Sequence, residues 1–230
     1  MKPDDAVPLF QLENVGLSKG ETRILSGISL DVNKGDCLVL AGENGSGKTS
    51  LLRLFNRLDD PTEGEIRFCG VKLSEMKVKE LRDRVGIVMQ GPVLFDGTVL
   101  EVLNRIRTVL KQDWDAADVL EVSGLPTETL NRKTADLSGG EVQLISIGIV
   151  ALRNLEVLLL DEPAAALSVT AIERLEKLLC KLQSEGRTLI QVTHQIDRMV
   201  KLANRGIFMK QGRISVSGSM ADVIAAFGRF

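Results

Sequence analysis

The sequence comprises 230 residues with a formal net charge of −2 at pH 7; 44% of the residues are hydrophobic and 26% are charged. Such a chain is long enough for one large domain, or for one domain with an inserted lobe, around a sizeable core. The charge balance supplies no polycationic field for nucleic acid or an acidic bilayer, so it argues against a nucleic-acid partner.

Cysteine usage and the N-terminus indicate a cytosolic chain. Cys37, Cys69 and Cys180 are odd in number, widely spaced and set in apolar segments, which predicts reduced thiols in the core. Residues 1–10 are acidic and interrupted by proline, unlike a signal peptide. The longest mostly apolar run, residues 142–152, is about half as long as the ~20-residue helix that crosses a bilayer. We expect another polypeptide to supply any membrane span.

The chain opens with strand patterns over residues 9–15 and 27–32, separated by turn-forming glycines, which predict an antiparallel flap. Residues 37–41 form a continuous apolar run typical of a strand buried on both faces of a parallel sheet. A helical pattern follows to about residue 58. Between this strand and this helix lies the most informative segment of the sequence.

That segment, residues 42–49, reads GENGSGKT and matches the phosphate-loop pattern Gly-x-x-x-x-Gly-Lys-[Ser/Thr]. Its glycines let the backbone curl around a phosphate with N–H groups pointing inward, and the helix dipole adds positive charge. Lys48 is expected to reach the β- and γ-phosphates, and the Thr49 hydroxyl to bind Mg²⁺. The alternative is a glycine turn that merely joins a strand to a helix. The nucleotide-binding residues predicted here are Gly42, Glu43, Asn44, Gly45, Ser46, Gly47, Lys48, Thr49 and Ser50.

Strands and helices alternate through the rest of the chain, except that residues 91–150 are mostly helical and are interpreted as an inserted lobe. The alternation, with phosphate chemistry at a strand end, predicts a doubly wound α/β core. Strands are expected at 65–69, 85–90, 157–160, 188–193, 206–209 and 213–216, and helices at 79–84, 99–110, 116–122, 142–152, 169–182 and 220–227.

Two further segments carry chemistry. Residues 157–162 read VLLLDE, which places Asp161 at a strand end to hold the Mg²⁺ bound by Thr49, and Glu162 to polarise an attacking water. An acidic strand end without a role is the alternative, but adjacent carboxylates after an apolar run are costly unless a positive group pairs with them. Residues 137–141 read LSGGE before a helix. This is either a second anion-binding helix N-terminus or an ordinary serine cap.

Together these motifs resemble the ATP-binding cassette (ABC) family. The phosphate loop, Gln90, LSGGE at 137–141, LLLDEP at 158–163 and His194 occur in that family's order and approximate spacing. The resemblance implies one nucleotide-binding domain over residues 1–230: a phosphate-loop NTPase core with a parallel sheet and an antiparallel flap (8–90 and 151–230), and a helical subdomain (91–150). It also implies hydrolysis of ATP with Mg²⁺.

The family's residue roles carry over by position. Gln90 matches the glutamine that touches Mg²⁺ and the attacking water, and His194, the only histidine, matches the switch histidine at the γ-phosphate. The implied catalytic residues are Glu162, His194 and Gln90. The implied metal ligands are Thr49, Gln90 and Asp161. Ser138, Gly139 and Gly140 would close over the ATP held by Lys48 of a second subunit, so a head-to-tail homodimer is expected.

A short single cassette favours the energy subunit of a membrane transporter, peripheral on the inner face of the cell membrane. A soluble cassette ATPase and a nucleotide-binding regulator with little turnover are the alternatives. We expect residues 91–98 to contact the permease through Val93, Leu94 and Phe95, unless these side chains pack inside the helical lobe. The same segment faintly resembles small cassettes paired with metal-export or phosphate permeases. Cargo and direction belong to the permease.

Three departures from the family are visible. Lys19 stands where the family places an aromatic side chain against adenine, so we expect the lysine stem and Ile24 to replace it and ATP to be weakly distinguished from GTP. Ser168 replaces an aspartate that links the two subunits, although it can still cap the following helix. Leu144 replaces an arginine after the LSGGE segment. Hydrolysis is therefore expected to be slow or strongly partner-dependent.

Overall fold

The computed structural model describes residues 7–165, 167–193 and 203–227. The strands are β1 (Phe10–Lys19), β2 (Thr22–Val32), β3 (Cys37–Gly42), β4 (Glu63–Phe68), β5 (Val71–Lys72), β6 (Val85–Val88), β7 (Val157–Asp161), β8 (Thr188–Val192), β9 (Arg205–Lys210) and β10 (Arg213–Gly218). The helices are α1 (Lys48–Leu54), α2 (Val78–Arg84), α3 (Val99–Leu110), α4 (Ala116–Ser123), α5 (Gly139–Ala151), α6 (Val169–Ser184) and α7 (Met220–Phe227).

Within the described ranges, the central layer is a six-stranded sheet in the order β10-β9-β3-β8-β7-β6. β3 is parallel to β8 and β9, and β7 is parallel to β6 and β8, whereas β10 is antiparallel to β9. Gly42 ends β3 and Asp161 ends β7. The phosphate loop and the predicted carboxylate therefore meet at the carboxyl edge, where α/β sheets bind ligands. The predicted α/β fold with a parallel sheet is confirmed.

Both faces of the central sheet are covered. On β3, Cys37 and Val39 belong to a buried cluster shared with the helices α3 to α6, whereas Leu38 and Leu40 belong to a second cluster shared with the flap and α1. Successive side chains of a strand point to opposite faces. A continuous apolar run at this strand is therefore what a two-sided core requires.

The flap is an antiparallel sheet in the order β2-β1-β4-β5. β1 and β2 extend beyond the predicted 9–15 and 27–32, because their backbones stay paired as far as Lys19 and Thr22. The register shifts between Leu12 and Val15 and again before Ser18. Such bulges change which side chains face inward, so the alternation that predicts a strand is lost although the pairing continues.

The region between β6 and β7 contains α3, α4 and α5, as predicted. The helix predicted at 142–152 begins at Gly139 instead, because Ser138 caps it and accepts a hydrogen bond from the Glu141 N–H at 3.3 Å. α5 is apolar around much of its circumference and is correspondingly buried. None of the helices in the described part of the chain has the length and apolarity that a membrane span requires.

The prediction of three core thiols is wrong for two of them. Cys37 is buried, whereas Cys69 and Cys180 are exposed. Burial raises the pKa of Cys37 to about 12, which keeps this thiol protonated. Cys69 lies between β4 and β5 with a φ of 51°, and Cys180 lies on the outer side of α6. Apolar neighbours in sequence do not determine the direction of a side chain at a turn or on an amphipathic helix.

Gly148 allows α4 and α5 to pack closely. A Cβ at this position would lie 2.3 Å from Ser123 Oγ and 3.0 Å from the Val119 carbonyl oxygen. Ser123 is fixed by hydrogen bonds to the carbonyl oxygens of Val119 and Leu144, at 2.6 and 3.0 Å. We expect Gly148→Ala to lower the free energy of unfolding by about 1–3 kcal/mol, measured by urea denaturation. Gly139→Ala is the matched control, since nothing lies within 4 Å of a Cβ there. Equal stability of the two variants would contradict close packing.

Candidate functional site

The phosphate loop is held between β9 and the flap. Gly42 has a φ of 142°, and a Cβ there would lie 2.2 Å from the Met209 carbonyl oxygen. Gly47 has a φ of 98°, and a Cβ there would lie 2.7 Å from Leu25 Cδ2. Both positions therefore require glycine for conformation and for space. The predicted cradle is built by neighbours from distant parts of the chain.

The Lys48 ammonium lies inside this loop. Its Nζ donates to the carbonyl oxygens of Gly42 and Glu43 at 2.9 and 2.8 Å, and the residue is only 6% exposed. Burial lowers the pKa of Lys48, while the negative charges of Glu162 and Asp161 act in the opposite direction. The loop therefore contains a cation held by weak carbonyl partners, which phosphate oxygens can replace.

Thr49 and Asp161 meet beside the loop. The Thr49 hydroxyl donates to Asp161 Oδ1 at 3.0 Å, and Asp161 is 3% exposed. Burial raises the pKa of the Asp161 carboxyl, and the hydrogen bond from Thr49 and the charge of Lys48 oppose that shift. A hydroxyl and a carboxylate side by side are oxygen ligands of the kind that Mg²⁺ takes together with phosphates. The donor set therefore fits the predicted metal.

A cavity of about 410 Å³ joins Lys48 and Thr49 to two further predicted site residues, Gln90 and Glu162. Gln90 follows β6 and Glu162 follows β7, so the carboxyl edge of the sheet brings both to it. Glu162 has a φ of 48° and donates its N–H to the Val192 carbonyl oxygen at 3.0 Å; strained backbone of this kind is frequent at functional sites. The lining residues are Ile24, Asn44, Gly45, Gly47, Lys48, Thr49, Ser50, Gln90, Glu162 and Val192.

A larger cleft, of about 770 Å³, lies between α2 and the end of α3 and shares no lining residue with the cavity beside the phosphate loop. Its walls include Arg82, Lys111 and Arg153, but they carry neither the phosphate loop nor the paired carboxylates. The smaller cavity is the candidate site because the chemistry converges there.

The LSGGE segment does not line this cavity. Ser138 is exposed, and its hydroxyl donates to Glu141 Oε2 at 2.9 Å. Arg132 in turn donates to Glu141 at 2.6 Å. Ser138 thus forms the ordinary helix cap, and its exposed position leaves it accessible to another chain. Its predicted contact with the ATP of a second subunit stays a prediction.

The two residues predicted to contact the base, Ile24 and Lys19, differ in position. Ile24 lines the cavity, whereas Lys19 does not. The Lys19 ammonium lies 3.1 Å from Asp59, which also accepts a hydrogen bond from Arg53 of α1 at 2.7 Å. A lysine stem over the base would require Lys19 to leave this carboxylate.

The proposed permease contact is exposed in part. Val93 is 89% exposed and Phe95 is 64% exposed, whereas Leu94 is partly buried against the core of the helical region. Leu94 therefore packs inside the helical region, which was the alternative to a permease contact, whereas Val93 and Phe95 are available to a partner.

Two predicted positions need separate mention. His194 lies outside the described residues. Ser168 caps α6 as predicted, accepting a hydrogen bond from the Ala171 N–H at 3.3 Å. Val192 also lines the cavity, although no motif marks it; its place at the end of a buried parallel strand is the signal that indicates it.

The chain matches the family model described as ABC transporter over residues 25–165. It is 33% identical to the glutamine transport ATP-binding protein GlnQ of Escherichia coli, covering 92% of this chain and 91% of that protein. It is 34% identical to the glutamate/aspartate import ATP-binding protein GltL of the same species, covering 90% and 89%. It also superimposes on the dimeric ATP-binding cassette MJ0796 in a post-hydrolysis state bound to ADP and Pi, with a TM-score of 0.81, 29% identity, and 92% and 98% of the chains covered.

Proposed function

Because the chain belongs to the ABC transporter family and is an ATPase of that family, we propose that it drives a separate membrane permease by binding and hydrolysing ATP. The observation that carries this function is the cavity at which the phosphate loop, the Thr49–Asp161 pair, Gln90 and Glu162 converge. No single motif defines a phosphoryl-transfer site, but a cation, metal ligands and a carboxylate around one cavity do.

The residues have distinct roles in this proposal. Lys48 would exchange its loop carbonyls for the β- and γ-phosphates, and Thr49 and Asp161 would hold Mg²⁺, which would neutralise phosphate charge. Gln90, which lines the same cavity, would contact this metal and the attacking water. Glu162 orients that water and accepts its proton. The role of His194 at the γ-phosphate rests on the family resemblance alone.

The second half of each site comes from a partner subunit. The exposed Ser138 with Gly139 and Gly140 presents backbone N–H groups at the start of α5. In a head-to-tail dimer these groups close over ATP held by the other chain. The dimeric state of the similar cassette MJ0796 supports this arrangement.

The proposed role as a transporter subunit also implies a surface that contacts the permease and a location at the membrane. Val93 and Phe95 in residues 91–98 offer exposed apolar surface to a cytoplasmic segment of the permease. We propose that this contact holds the chain against the inner face of the cell membrane. We retain the division into a core (8–90 and 151–230) and a helical subdomain (91–150) as part of this proposal.

The test is ATP hydrolysis by the purified chain with and without its membrane partner. We expect turnover in isolation well below about 10 s⁻¹, the usual enzyme median, because Ser168 replaces the aspartate that links the two subunits in the family and Leu144 replaces the family's arginine after the LSGGE segment. The rate should increase when the permease that co-purifies with the chain is added in detergent or vesicles. A high rate in isolation, unchanged by any membrane protein, would favour a soluble ATPase.

Nucleotide selectivity is expected to be low. The cavity offers Ile24 to the base, and Lys19 is engaged with Asp59, so no described aromatic side chain lines the base-binding end. We expect GTP to compete with ATP within about tenfold, since apolar contact alone distinguishes purines by little more than 1 kcal/mol. Competition against a labelled ATP analogue measures this. Strong preference for ATP would contradict it.

A further inference from the structure

The turn that joins β9 to β10, defined here as residues 210–212 and beginning with the last residue of β9, contacts both the phosphate loop and the flap. The Gly212 N–H donates to the Ser46 carbonyl oxygen in the phosphate loop at 3.1 Å. The Gly212 carbonyl oxygen accepts a hydrogen bond from the Ser26 N–H of β2 at 2.9 Å. The N–H and the carbonyl group of Gly212 thus connect the phosphate loop with the flap, and the cavity lies between these two structures.

At position 212, only glycine fits between the phosphate loop and the flap. Gly212 has a φ of 73°, and a Cβ would lie 2.3 Å from the Ile24 carbonyl oxygen. Ile24 is the flap residue that lines the cavity. Met209, which precedes the turn, fills the space beside Gly42 with its carbonyl oxygen. A change at the turn therefore reaches both the phosphate end and the base end of the cavity.

We infer that the turn is a positioning element of the nucleotide site, with Gly212 as its central positioning residue; this inference rests on the proposed function. A phosphate loop binds through N–H groups that point inward, so a carbonyl group that turns away from the loop, such as that of Ser46, needs a partner from elsewhere in the chain. Gly212 supplies such a partner to Ser46. The loop and Ile24 are thus held in a fixed relation before ATP arrives, and less ordering remains to be done on binding.

A second contact from the same turn places a positive charge beside a negative charge of the phosphate loop. Lys210 Nζ lies 3.7 Å from Glu43 Oε1, and both side chains are partly exposed. Glu43 belongs to the loop but does not line the cavity, so its carboxylate acts on a bound triphosphate through its charge rather than through contact. An opposite charge beside it reduces repulsion of the phosphates. Lys210 therefore acts on ATP through Glu43.

The first experiment compares Gly212→Ala with Gly186→Ala. Gly186 has a φ of 82° and nothing within 4 Å of a Cβ, so its replacement introduces similar backbone strain away from the site. We expect Gly212→Ala to raise the Kd for MgADP, measured by calorimetry, about tenfold, because small displacements of binding groups have large effects. The turnover at saturating ATP should change much less than the Kd. Gly186→Ala should leave the Kd unchanged.

The second experiment is a double-mutant cycle that does not depend on the folding of Gly212→Ala. Lys210→Met is expected to raise the Kd for MgADP about threefold, and Glu43→Gln in the same chain should restore it, as expected when two charges act as a pair. If Glu43→Gln gives no rescue, Lys210 does not act through Glu43.

The inference is overturned if Gly212→Ala and Gly186→Ala bind MgADP equally well and the cycle shows no coupling. Failure of the unmodified chain to bind MgADP or MgATP would instead overturn the proposed function. The unmodified chain is therefore measured first in the same calorimeter.

Discussion

Replacement of Lys48 by alanine is expected to weaken MgATP binding by about a hundredfold, or about 3 kcal/mol, because it removes charge-assisted hydrogen bonds to the phosphates. The ammonium is nearly buried and is held by the carbonyl oxygens of Gly42 and Glu43. It is thus already in the loop, and little reorganisation separates its resting position from the phosphates. Calorimetric titration of MgATP measures the loss.

The control for this variant is Lys79→Ala. Lys79 is 87% exposed on α2 and pairs with Asp83 one turn away, so its removal changes net charge equally without touching the cavity. Its MgATP affinity should remain that of the unmodified chain. Far-ultraviolet circular dichroism of Lys48→Ala checks that the loop variant is folded. A folded Lys48→Ala chain with unchanged affinity would show that the phosphates bind elsewhere.

Replacement of Glu162 by glutamine is expected to lower the hydrolysis rate about 10²–10⁴-fold, the usual contribution of a positioned acid–base group, while nucleotide binding remains. Glutamine keeps the shape of the side chain but accepts no proton. The strained backbone at this position, with its N–H bonded to Val192, is preserved by the near-isosteric change. Steady-state ATPase assays and calorimetry on the same preparation separate the two effects.

Glu173→Gln is the matched control, because Glu173 is exposed on α6, and its rate should be unchanged. The Glu162→Gln chain should also accumulate as a dimer with ATP, visible by sedimentation, since hydrolysis no longer reopens it. An unchanged rate in Glu162→Gln would favour the nucleotide-binding regulator. Intact binding without a dimer would indicate a different partner subunit or a weakened interface near Ser168.

Local patterns were sufficient to predict the loop and the strand end around which one end of the candidate site is built. Residues 42–49 carry their chemistry in consecutive positions, and the strand before them and the helix after them follow from periodicity. The sheet then brings Asp161 to Thr49, as expected when two parallel strands end at one edge. The family order added Gln90, whose type alone is uninformative.

The other features of the candidate site depend on contacts between distant parts of the chain. The partner of Lys19 is Asp59, and nothing in either local sequence indicates that they meet. The contact of Gly212 with Ser46 joins the last hairpin to the phosphate loop, and a backbone hydrogen bond carries no side-chain signature. The exposure of Cys180, by contrast, could have been predicted from the sequence, because the helical period of α6 separates exposed positions from buried ones.

The separation of the LSGGE segment from the cavity of its own chain has a kinetic consequence. If a complete site needs two chains, hydrolysis by the isolated subunit obeys mass action. Its specific activity should fall when the preparation is diluted, and an inactive chain added in excess should poison the active one. A transporter that holds two such subunits side by side removes that dependence, so tethering alone raises the rate by increasing the effective concentration of each half-site for the other.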